Sequence, residues 1–569
     1  MAKQAQTTAN PPLTPEEMMA LLQEAGFELP GEKKETQAEM LVKLALEKVQ
    51  LWHAPDGTEY ATVPVGEHLE NWPLSGKAFR EFLAYLFFQK NRKPPGAQAL
   101  QDALSLLSAK ARFESEARSV FLRIAGDGNR IYVDLGDEDW SVLEITAKGF
   151  QLSLRPPVLF RRSKGMLTLP YPDETGDINT LREFLQLEDE EAWVLIVSWL
   201  VTSLRPRGPY PILVLHGEQG SGKSTLARIL RSLVDPNTCP LRSTPREERD
   251  LVIAGRNGWV LAFDNLSGIP LWLSDALCRI STGGGFSTRR LYTNDEEELF
   301  SEERPIVCNG IDEVSERHDF LDRSLIVTLP PIPPEKRRDE TTLWGKFESI
   351  RPRIFAGLLQ AVSAGLRNWD EVRLSNPPRM ADFARWICAC EEALPWKAGT
   401  FLRAYAENRD SAIQQVAELD PLIVALEKLL SDSGDAWEGT ATQLLMELSA
   451  QVSESVKRSK LWPSTEKLLG KRLNCSASFL RHLGITISAF RTGRKRILRI
   501  SKDGNVTNVT NVTSQDLSGF EAVTLTQAKR HANVTETSPL KGASQADGDT
   551  CDVYDKKNPT PSNRLEEEF

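Results

Sequence analysis

The chain has 569 residues, of which 40% are hydrophobic and 26% are charged, and its formal net charge is −10 at pH 7. These proportions are typical of a soluble globular protein, and the length predicts three or four domains. Because the chain as a whole is acidic, it cannot coat DNA as a polycation, and any contact with nucleic acid must come from a local basic surface.

The cysteines and the apolar segments exclude two further classes of protein. The seven cysteines are scattered, and the close pair Cys388 and Cys390 lacks the second pair or histidine cluster that a zinc site needs. The longest apolar run, Ala192 to Leu204, is too short to span a bilayer and predicts a buried helix. No secretory signal is recognised, so we expect a cytoplasmic protein without a membrane partner.

Residues 1–157 predict a mixed α+β region whose role the sequence does not reveal. Helical patterns occur within residues 1–45, 77–90 and 98–110, a strand-and-turn pattern lies at 51–62, and residues 119–157 predict an antiparallel meander. Aromatic residues are dense on the second of these helices, and we interpret them as core rather than as a cofactor-stacking surface. They are Phe79, Phe82, Tyr85, Phe87 and Phe88.

Two acidic residues in the meander invite comparison with the paired aspartates of a DNA primase. Asp134 and Asp137 have the spacing D-x-x-D, and no obvious histidine motif follows them. A structural acidic turn is therefore the better interpretation, and we expect no polymerase chemistry here.

A glycine-rich loop follows a helical approach segment and lies between a predicted strand, Ile212 to Leu215, and a predicted amphipathic helix. Glycines let successive N–H groups face phosphates in front of a helix N-terminus. A chance glycine-rich turn is the alternative, but it does not explain the flanking strand and helix. We therefore expect ATP and Mg²⁺ here, with Lys223 on the β- and γ-phosphates and Ser224 on the metal. The predicted nucleotide-binding residues are Gly217, Glu218, Gln219, Gly220, Ser221, Gly222, Lys223, Ser224 and Thr225.

Three later segments predict the rest of a catalytic site. A buried strand ends at Asp264, which predicts a second Mg²⁺-side carboxylate, although an ordinary strand ending in an aspartate turn is the alternative. The next apolar strand ends at Asn309, which we interpret as the residue that senses the γ-phosphate or orients water. Arg323 precedes another buried strand and is predicted to reach a neighbouring subunit's nucleotide. Arg317 competes for that role, and an ion pair with Asp322 is the alternative for Arg323.

The segments GEQGSGKST, VLAFDN, PIVCNG and DRS, in this order and spacing, resemble the superfamily 3 helicases. This AAA+ branch includes the poxvirus-type primase-helicases and their relatives in phages and integrated bacterial elements. The resemblance covers residues 205–335, and more loosely the helical region and basic module after them. It implies a hexameric ring around single-stranded or forked DNA, with Arg289 and Arg290 facing the DNA ahead of an acidic run. Since no primase domain is evident, it also implies a separate primase as a partner.

One position departs from that family. Many AAA+ enzymes place a glutamate after the strand aspartate to activate water, and here that position is Asn265. Either Asp264 acts with another acid, or hydrolysis is slow, or the protein is partly a nucleotide switch. The sequence leaves these three interpretations open.

A basic module follows the helical region. Residues 457–499 contain twelve lysines or arginines and one acidic residue, Glu466. The patterns predict helices at 465–473 and 476–483 and strands at 485–490 and 496–500, which look like a winged helix. A solubility device or a protein dock is the alternative, but the reversal of charge favours nucleic acid. The predicted DNA contacts are Lys467, Lys471, Arg472 and Arg481 on or near the recognition helix, and Arg491, Arg494, Lys495 and Arg496 on the wing.

The predicted fold is α/β, built around a P-loop NTPase core of the AAA+, superfamily 3 helicase-like type. Our leading hypothesis is an ATP-dependent DNA helicase-type motor of a phage or mobile-element replication system, hydrolysing ATP at the subunit interfaces of a ring. A DNA-bound ATP switch that recruits or loads partner proteins without unwinding is the second hypothesis. A small-molecule phosphotransferase is the third, but it does not explain the sensor, the finger or the basic module. The predicted domains are an α+β region (1–157), a helical approach segment (158–204), the ATPase core (205–335), a helical domain (336–450), a winged helix (451–501) and a disordered tail (502–569).

Overall fold

The computed structural model of the chain describes residues 14, 18, 35–153, 155–187, 189–266, 268–289, 297–300, 303–310, 318–459, 461–492 and 495–502. These residues form a mixed α/β protein. Most of residues 1–34, Arg290, Arg317, Arg494 and the tail after residue 502 lie outside this set, so the predictions made for them stay predictions. Within the described ranges, no helix is long and apolar enough to cross a membrane.

The first layer is a three-stranded antiparallel sheet packed against three helices. Its first helix begins after Thr36, whose hydroxyl accepts from Glu39 N–H while the Glu39 carboxylate accepts from Thr36 N–H. This reciprocal cap satisfies two N–H groups that the helix leaves open. The elements are α1 (Gln37–Leu46), β1 (Gln50–His53), β2 (Glu59–Val65), β3 (His68–Pro73), α2 (Lys77–Asn91) and α3 (Ala97–Phe113).

The aromatic residues of α2 divide between two faces. Phe79 and Phe87 are buried, whereas Tyr85 is 56% exposed and Phe88 is 46% exposed. The prediction that all five aromatic residues of this helix lie in the core was therefore wrong for Tyr85 and Phe88. A helical period of 3.6 residues carries these two positions away from the buried face.

The second layer is a four-stranded antiparallel meander in the order β5–β6–β7–β8. The meander predicted for residues 119–157 starts later than expected, because Val120–Phe121 pairs in parallel with a later strand while Ile124 starts the meander. The helical prediction for 158–204 was likewise wrong at its start, where that later strand lies. The elements are β4 (Val120–Phe121), β5 (Ile124–Asp127), β6 (Arg130–Asp134), β7 (Val142–Thr146), β8 (Gly149–Ser153), β9 (Leu159–Phe160), and then a 3₁₀ helix (Ile178–Phe184).

The acidic turn after β6 is structural. Asp134 is fully buried and accepts from Arg162 Nη2 at 2.6 Å and from Gly136 N–H at 2.9 Å. Asp137 accepts from Ser141 N–H at 2.8 Å. Both carboxylates are thus engaged in holding the turn, which confirms the structural interpretation.

A parallel sheet with strand order β11–β14–β10–β15 forms the central layer. The predicted buried helix is confirmed as α4, which packs under the sheet, where Trp199 Nε1 donates to Ile306 O at 3.2 Å. Because the strands are parallel, the residues that follow them meet at one edge. The elements are α4 (Glu190–Ser203), β10 (Ile212–His216), α5 (Lys223–Val234), α6 (Glu248–Asn257), β11 (Leu261–Phe263), α7 (Leu271–Thr282), β12 (Phe286–Arg289), β13 (Glu297–Phe300), β14 (Ile306–Asn309), α8 (His318–Leu321) and β15 (Ser324–Thr328).

A buried carboxylate joins the meander to the central layer. Asp235 is 3% exposed, and its Oδ1 lies 3.2 Å from Nε of the buried Arg123. Its Oδ2 accepts from the N–H groups of Trp259 and Val260 at 3.0 and 3.1 Å. The ion pair is therefore supplemented by backbone donors, as a buried charge requires.

The helical region after the sheet protects the edge strand β15. Asn408 Nδ2 donates to Ile326 O at 2.6 Å, and Asn408 Oδ1 accepts from Ile326 N–H at 3.0 Å. This side chain thus occupies the pairing positions that an edge strand leaves open. The elements are a 3₁₀ helix (Pro334–Lys336), α9 (Glu340–Asn368), α10 (Ala381–Cys390), a 3₁₀ turn (Glu391–Ala393), α11 (Thr400–Leu419) and α12 (Pro421–Asp432).

The C-terminal layer contains the two helices and the hairpin predicted from the basic module. It begins earlier than predicted, because Trp437 lies on a strand that pairs with the last strand of the hairpin and shares its core. The predicted boundary at 450/451 therefore falls inside this layer. The elements are β16 (Ala436–Gly439), α13 (Ala441–Gln451), α14 (Glu454–Lys457), α15 (Glu466–Cys475), α16 (Ala477–His482), β17 (Ile485–Thr492) and β18 (Lys495–Lys502).

Candidate nucleotide-binding site

Residues 217–222, between β10 and α5, form the segment that we call the glycine loop. Gly217, Gly220 and Gly222 have φ angles of 144°, 85° and 83°, which residues with a Cβ rarely adopt. At Gly217 the space is also closed, because a Cβ there would lie 2.5 Å from Leu329 O. Side chains at these positions would therefore strain the loop, most severely at Gly217.

The loop leads directly into the N-terminus of α5. No side chain caps this helix start, so its first N–H groups remain available to an anion. Lys223 Nζ donates to Gly217 O at 2.5 Å and to Glu218 O at 2.8 Å. Ser221 is 2% exposed, and its Oγ has no hydrogen-bond partner among the described residues. The loop therefore brings hydrogen-bond donors together, and some of them have no acceptor among the described residues.

Ser224 and Asp264 meet at this edge of the sheet. Ser224 Oγ donates to Asp264 Oδ1 at 2.8 Å. Asp264 directly follows β11, and its N–H donates to Arg242 O at 2.9 Å, which fixes the backbone at that point. Hydroxyl and carboxylate oxygens are the hard ligands that Mg²⁺ prefers. The two side chains therefore fit a magnesium ion.

Asn309 lies at the end of the neighbouring strand and is 1% exposed. Its Oδ1 accepts from Asn265 N–H at 2.8 Å, and its backbone O accepts from Leu266 N–H at 2.9 Å. The Nδ2 group is buried and has no partner among the described residues. A buried hydrogen-bond donor without an acceptor costs free energy. This amide is therefore suited to donate a hydrogen bond to a group that binds in the site.

The backbone explains the asparagine that follows Asp264. Asn265 has φ 55°, in the left-handed region, where asparagine is enriched several-fold among residues other than glycine. A glutamate at this position would adopt that conformation only with strain. The backbone conformation at this position therefore suits asparagine better than glutamate.

A cleft of about 420 Å³ opens beside the glycine loop. Its lining includes Gly220, Gly222 and Thr225 from the loop and α5. Its other walls come from the 3₁₀ helix before α4 and from the segment after β15, which no prediction from the sequence included. In the sequence, the run of three basic residues after the Pro-rich turn was the feature that could have indicated these walls. These additional residues include Phe184, Leu185, Leu329, Ile332, Lys336, Arg337, Arg338 and Leu343.

The thiol that precedes Asn309 is inert. Cys308 is fully buried, and burial raises the pKa of its thiol to about 12. It therefore stays protonated at neutral pH. Among the described residues, no group of three or more potential ligands could hold a further metal ion.

Arg323 is engaged within its own chain. Its Nη1 donates to Asp319 O at 2.9 Å and forms an ion pair with the Asp319 carboxylate, and the side chain is 17% exposed. Arg379 pairs with Asp319 and with Asp322, and Arg409 pairs with Asp322. The ion pair proposed as the alternative for Arg323 thus exists, but its partner is Asp319 rather than Asp322.

The residues predicted to contact DNA differ in their surroundings. Arg472 is paired with Asp420 at 2.9 Å, so its guanidinium is already engaged within the chain, and its predicted contact with DNA stays a prediction. Arg491 lies directly opposite Arg496 on the hairpin, and both are exposed. Only the backbone positions of Arg289 and Lys495 are described. The remaining predicted contacts, Lys467, Lys471 and Arg481, are exposed.

Like charges opposite each other destabilise a strand pair. Arg491 and Arg496 have no ion-pair partner among the described residues, whereas Arg499 on the same strand pairs with Glu438 at 2.9 Å. The tip of the hairpin therefore presents two exposed arginines without ion-pair partners among the described residues to an anionic ligand.

Comparison with solved structures finds low-scoring similarities. The A form apo structure of the NrS-1 C-terminal region is 12% identical, with coverage of 81% of this chain and 99% of that chain and a TM-score of 0.36. A second apo structure of that region is 12% identical, with coverage of 82% and 100% and a TM-score of 0.35. A small-molecule complex of the JCV helicase is 12% identical, with coverage of 40% and 66% and a TM-score of 0.20. TM-scores this low carry no argument about function.

Comparison with protein families is more informative, although no curated protein sequence matches. Residues 178–412 match the family described as actinomycete integrative conjugative element replication protein. Residues 422–515 match the C-terminal domain of the same family, termed AICE RepA. The second match begins at α12, close to the start of the C-terminal layer in the structure. Together the two matches cover more than half of the chain, which therefore belongs to the RepA replication proteins of actinomycete integrative conjugative elements.

Proposed function

We propose that this protein is a P-loop ATPase that works as a DNA helicase-type motor in the replication of its conjugative element. The observation that carries the proposal is the convergence of Lys223, Ser224, Asp264 and Asn309 at one edge of a parallel sheet. Membership in a family of replication proteins supports the link to DNA.

The residues of this edge have distinct roles in the proposed reaction. Lys223 exchanges its contacts with Gly217 O and Glu218 O for oxygens of the β- and γ-phosphates. Ser224 Oγ and Asp264 hold Mg²⁺, which neutralises negative charge on the phosphates. Asn309 Nδ2, which has no partner among the described residues, donates to the γ-phosphate or to the attacking water. The reaction is transfer of the γ-phosphoryl group to water.

The cleft beside the glycine loop takes the nucleoside. Its volume of about 420 Å³ lies within the range of small-molecule sites. Leu329, Ile332 and Leu343 supply apolar surface for a base. The basic run 336–338 lies on the same wall and adds positive charge beside the phosphates.

The ring and the DNA contacts complete the proposal. Subunits assemble as a ring, in which a neighbour completes each ATP site. Arg323 can contact the nucleotide of a neighbouring subunit only if its ion pair with Asp319 breaks. Breaking and re-forming this ion pair therefore becomes part of the ATPase cycle. Arg491 and Arg496 at the hairpin tip bind DNA phosphates, which position the protein without specifying sequence.

A DNA-bound ATP switch that recruits or loads other proteins is the second candidate. The specific observation in its favour is Asn265, which occupies the position of a water-activating glutamate in a backbone conformation that disfavours one. A switch needs ATP binding and slow hydrolysis, and it needs no strand separation.

The decisive experiment measures ATP hydrolysis by the full chain with and without single-stranded DNA. Lys223→Ala is the inactive variant, and Lys110→Ala is the matched control, because Lys110 lies on α3 and pairs only with Glu114 among the described residues. A strand-displacement assay on forked DNA and light scattering with and without ATP follow on the same samples.

Three outcomes separate the candidates. Hydrolysis that DNA stimulates severalfold and Lys223→Ala abolishes, together with strand displacement, supports the motor. Slow hydrolysis that is indifferent to DNA, without displacement, overturns the motor and leaves the switch. Phosphate transfer to a small acceptor, unaffected by DNA, overturns both.

A further inference from the structure

A second cleft, of about 500 Å³, lies between the N-terminal layers and the central layer. Three arginines line it, Arg161, Arg207 and Arg304, and we call it the arginine cleft. None of its lining residues belongs to the cleft beside the glycine loop. It is therefore separate from the proposed ATP site.

Arg304 forms the floor of the arginine cleft and is held rigidly. It is 4% exposed, and its Nε and Nη1 donate to Gly255 O and Glu303 O at 2.9 and 2.8 Å. Its guanidinium carbon lies 5.1 Å from the centre of the Trp259 ring. Burial lowers the pKa of Arg304 to about 10, so the side chain still carries its charge at neutral pH.

Arg161 faces the same cleft from the N-terminal side. Its Nη2 donates to Arg256 O, and no ion pair involves Arg161 among the described residues. Burial lowers its pKa, and the neighbouring charge of Arg256 lowers it further. A half-buried cation with cationic neighbours costs free energy, and a bound anion would offset that cost.

The carboxylates of the cleft are occupied by backbone donors. Asp56 Oδ1 accepts from Thr58 N–H at 2.9 Å, and Glu303 Oε2 accepts from Gly208 N–H at 2.5 Å. The lining therefore has three arginines against two carboxylates. This balance favours an anionic ligand.

We propose that the arginine cleft binds the phosphate group of a nucleotide, carried either by a DNA strand or by a free nucleotide. Guanidinium groups bind phosphate through paired N–H donors. The volume of the cleft is within the range of small-ligand sites, and the half-buried Phe121 on its wall offers aromatic surface to a base. Gly283 and Glu303 also line it, and they flank the β12–β13 hairpin, so a ligand here contacts the N-terminal layers and the base of that hairpin together.

The test uses the full chain with Lys223→Ala as background, which weakens phosphate binding at the glycine loop. The variants are Arg161→Gln and the exposed Arg207→Gln, with Arg403→Gln, an exposed arginine on α11, as the matched control. One arm measures binding of an oligo-dT strand across a salt series. The other measures binding of dAMP by calorimetry. Thermal unfolding verifies that each variant is folded, and Arg207→Gln carries the test if Arg161→Gln is not.

If the ligand is a DNA strand, each variant makes the negative slope of log K against log salt shallower by about 0.7 per lost phosphate contact. Arg403→Gln leaves the slope unchanged. If the ligand is a free nucleotide, the variants weaken dAMP binding about tenfold and leave the DNA slope intact. Folded variants that match the control in both arms overturn the proposal. That result would leave the proposed ATPase untouched, because hydrolysis depends on Lys223.

Discussion

Ser224 Oγ donates a hydrogen bond to Asp264 Oδ1 at 2.8 Å, across a sequence separation of 40 residues. The contact joins the first turn of α5 to the residue after β11. Parallel strands bring these positions together, because the loops that follow them share one edge of the sheet. A hydroxyl and a carboxylate are thereby held side by side at the end of the glycine loop.

The hydroxyl of Ser224 should be needed for turnover. We expect Ser224→Ala to lower the rate of ATP hydrolysis by about 100-fold or more, since it removes an oxygen placed to hold charge in the site. Ser224→Thr keeps the hydroxyl and should retain most of the activity. Steady-state hydrolysis by the two variants is the measurement, and equal losses would contradict the proposed role of the hydroxyl.

Gly310 should tolerate no side chain. It has φ 84°, and a Cβ would lie 2.8 Å from Asn265 Cα, so Gly310→Ala should disturb the contact between Asn265 and Asn309. The left-handed conformation alone costs about 1–2 kcal/mol, and the close approach adds to it. Gly128→Ala is the control, because Gly128 has φ 57° with open space around it. Urea unfolding should show the larger loss for Gly310→Ala, and equal losses would show that the close approach is unimportant.

Removal of the Asp235 charge should strongly destabilise the protein. Asp235→Asn leaves the buried Arg123 without its counter-charge, and breaking a buried pair in this way costs about 3–5 kcal/mol. Glu114→Gln is the control, because its ion pair with Lys110 on the surface of α3 is expected to contribute about 0.5 kcal/mol or less. Chemical unfolding of both variants checks this, and a loss for Asp235→Asn as small as that of the control would refute it.

The hairpin tip should bind DNA through charge alone. Arg491→Gln and Arg496→Gln should each weaken binding to duplexes of any sequence. Each should also make the negative slope of log K against log salt shallower by about 0.9. Arg499→Gln is the control, since Arg499 lies on the same strand as Arg496 and is already paired with Glu438. Arg472→Gln should also leave the affinity unchanged because of its pair with Asp420. Fluorescence anisotropy across a salt series distinguishes these variants.

Local patterns in the sequence predicted much of what lies at the candidate site. The strand before the glycine loop, the helix after it, and the strands that end at Asp264 and Asn309 are all present. The two helices and the hairpin of the basic module are also where the periodicity predicted them. Each of these features depends on neighbours a few residues away, so the amino-acid order is enough to predict it.

The tertiary structure alone decided which charged side chains pair across long stretches of the chain. Arg472 lies against Asp420, which is 52 residues earlier in the chain, so one residue predicted to contact DNA is already engaged within its own chain. The walls of the cleft beside the glycine loop come from segments on either side of the sheet, and Trp437 extends the C-terminal layer beyond its predicted boundary. These contacts join residues far apart in the chain, and their geometry follows from how the layers pack rather than from any local pattern.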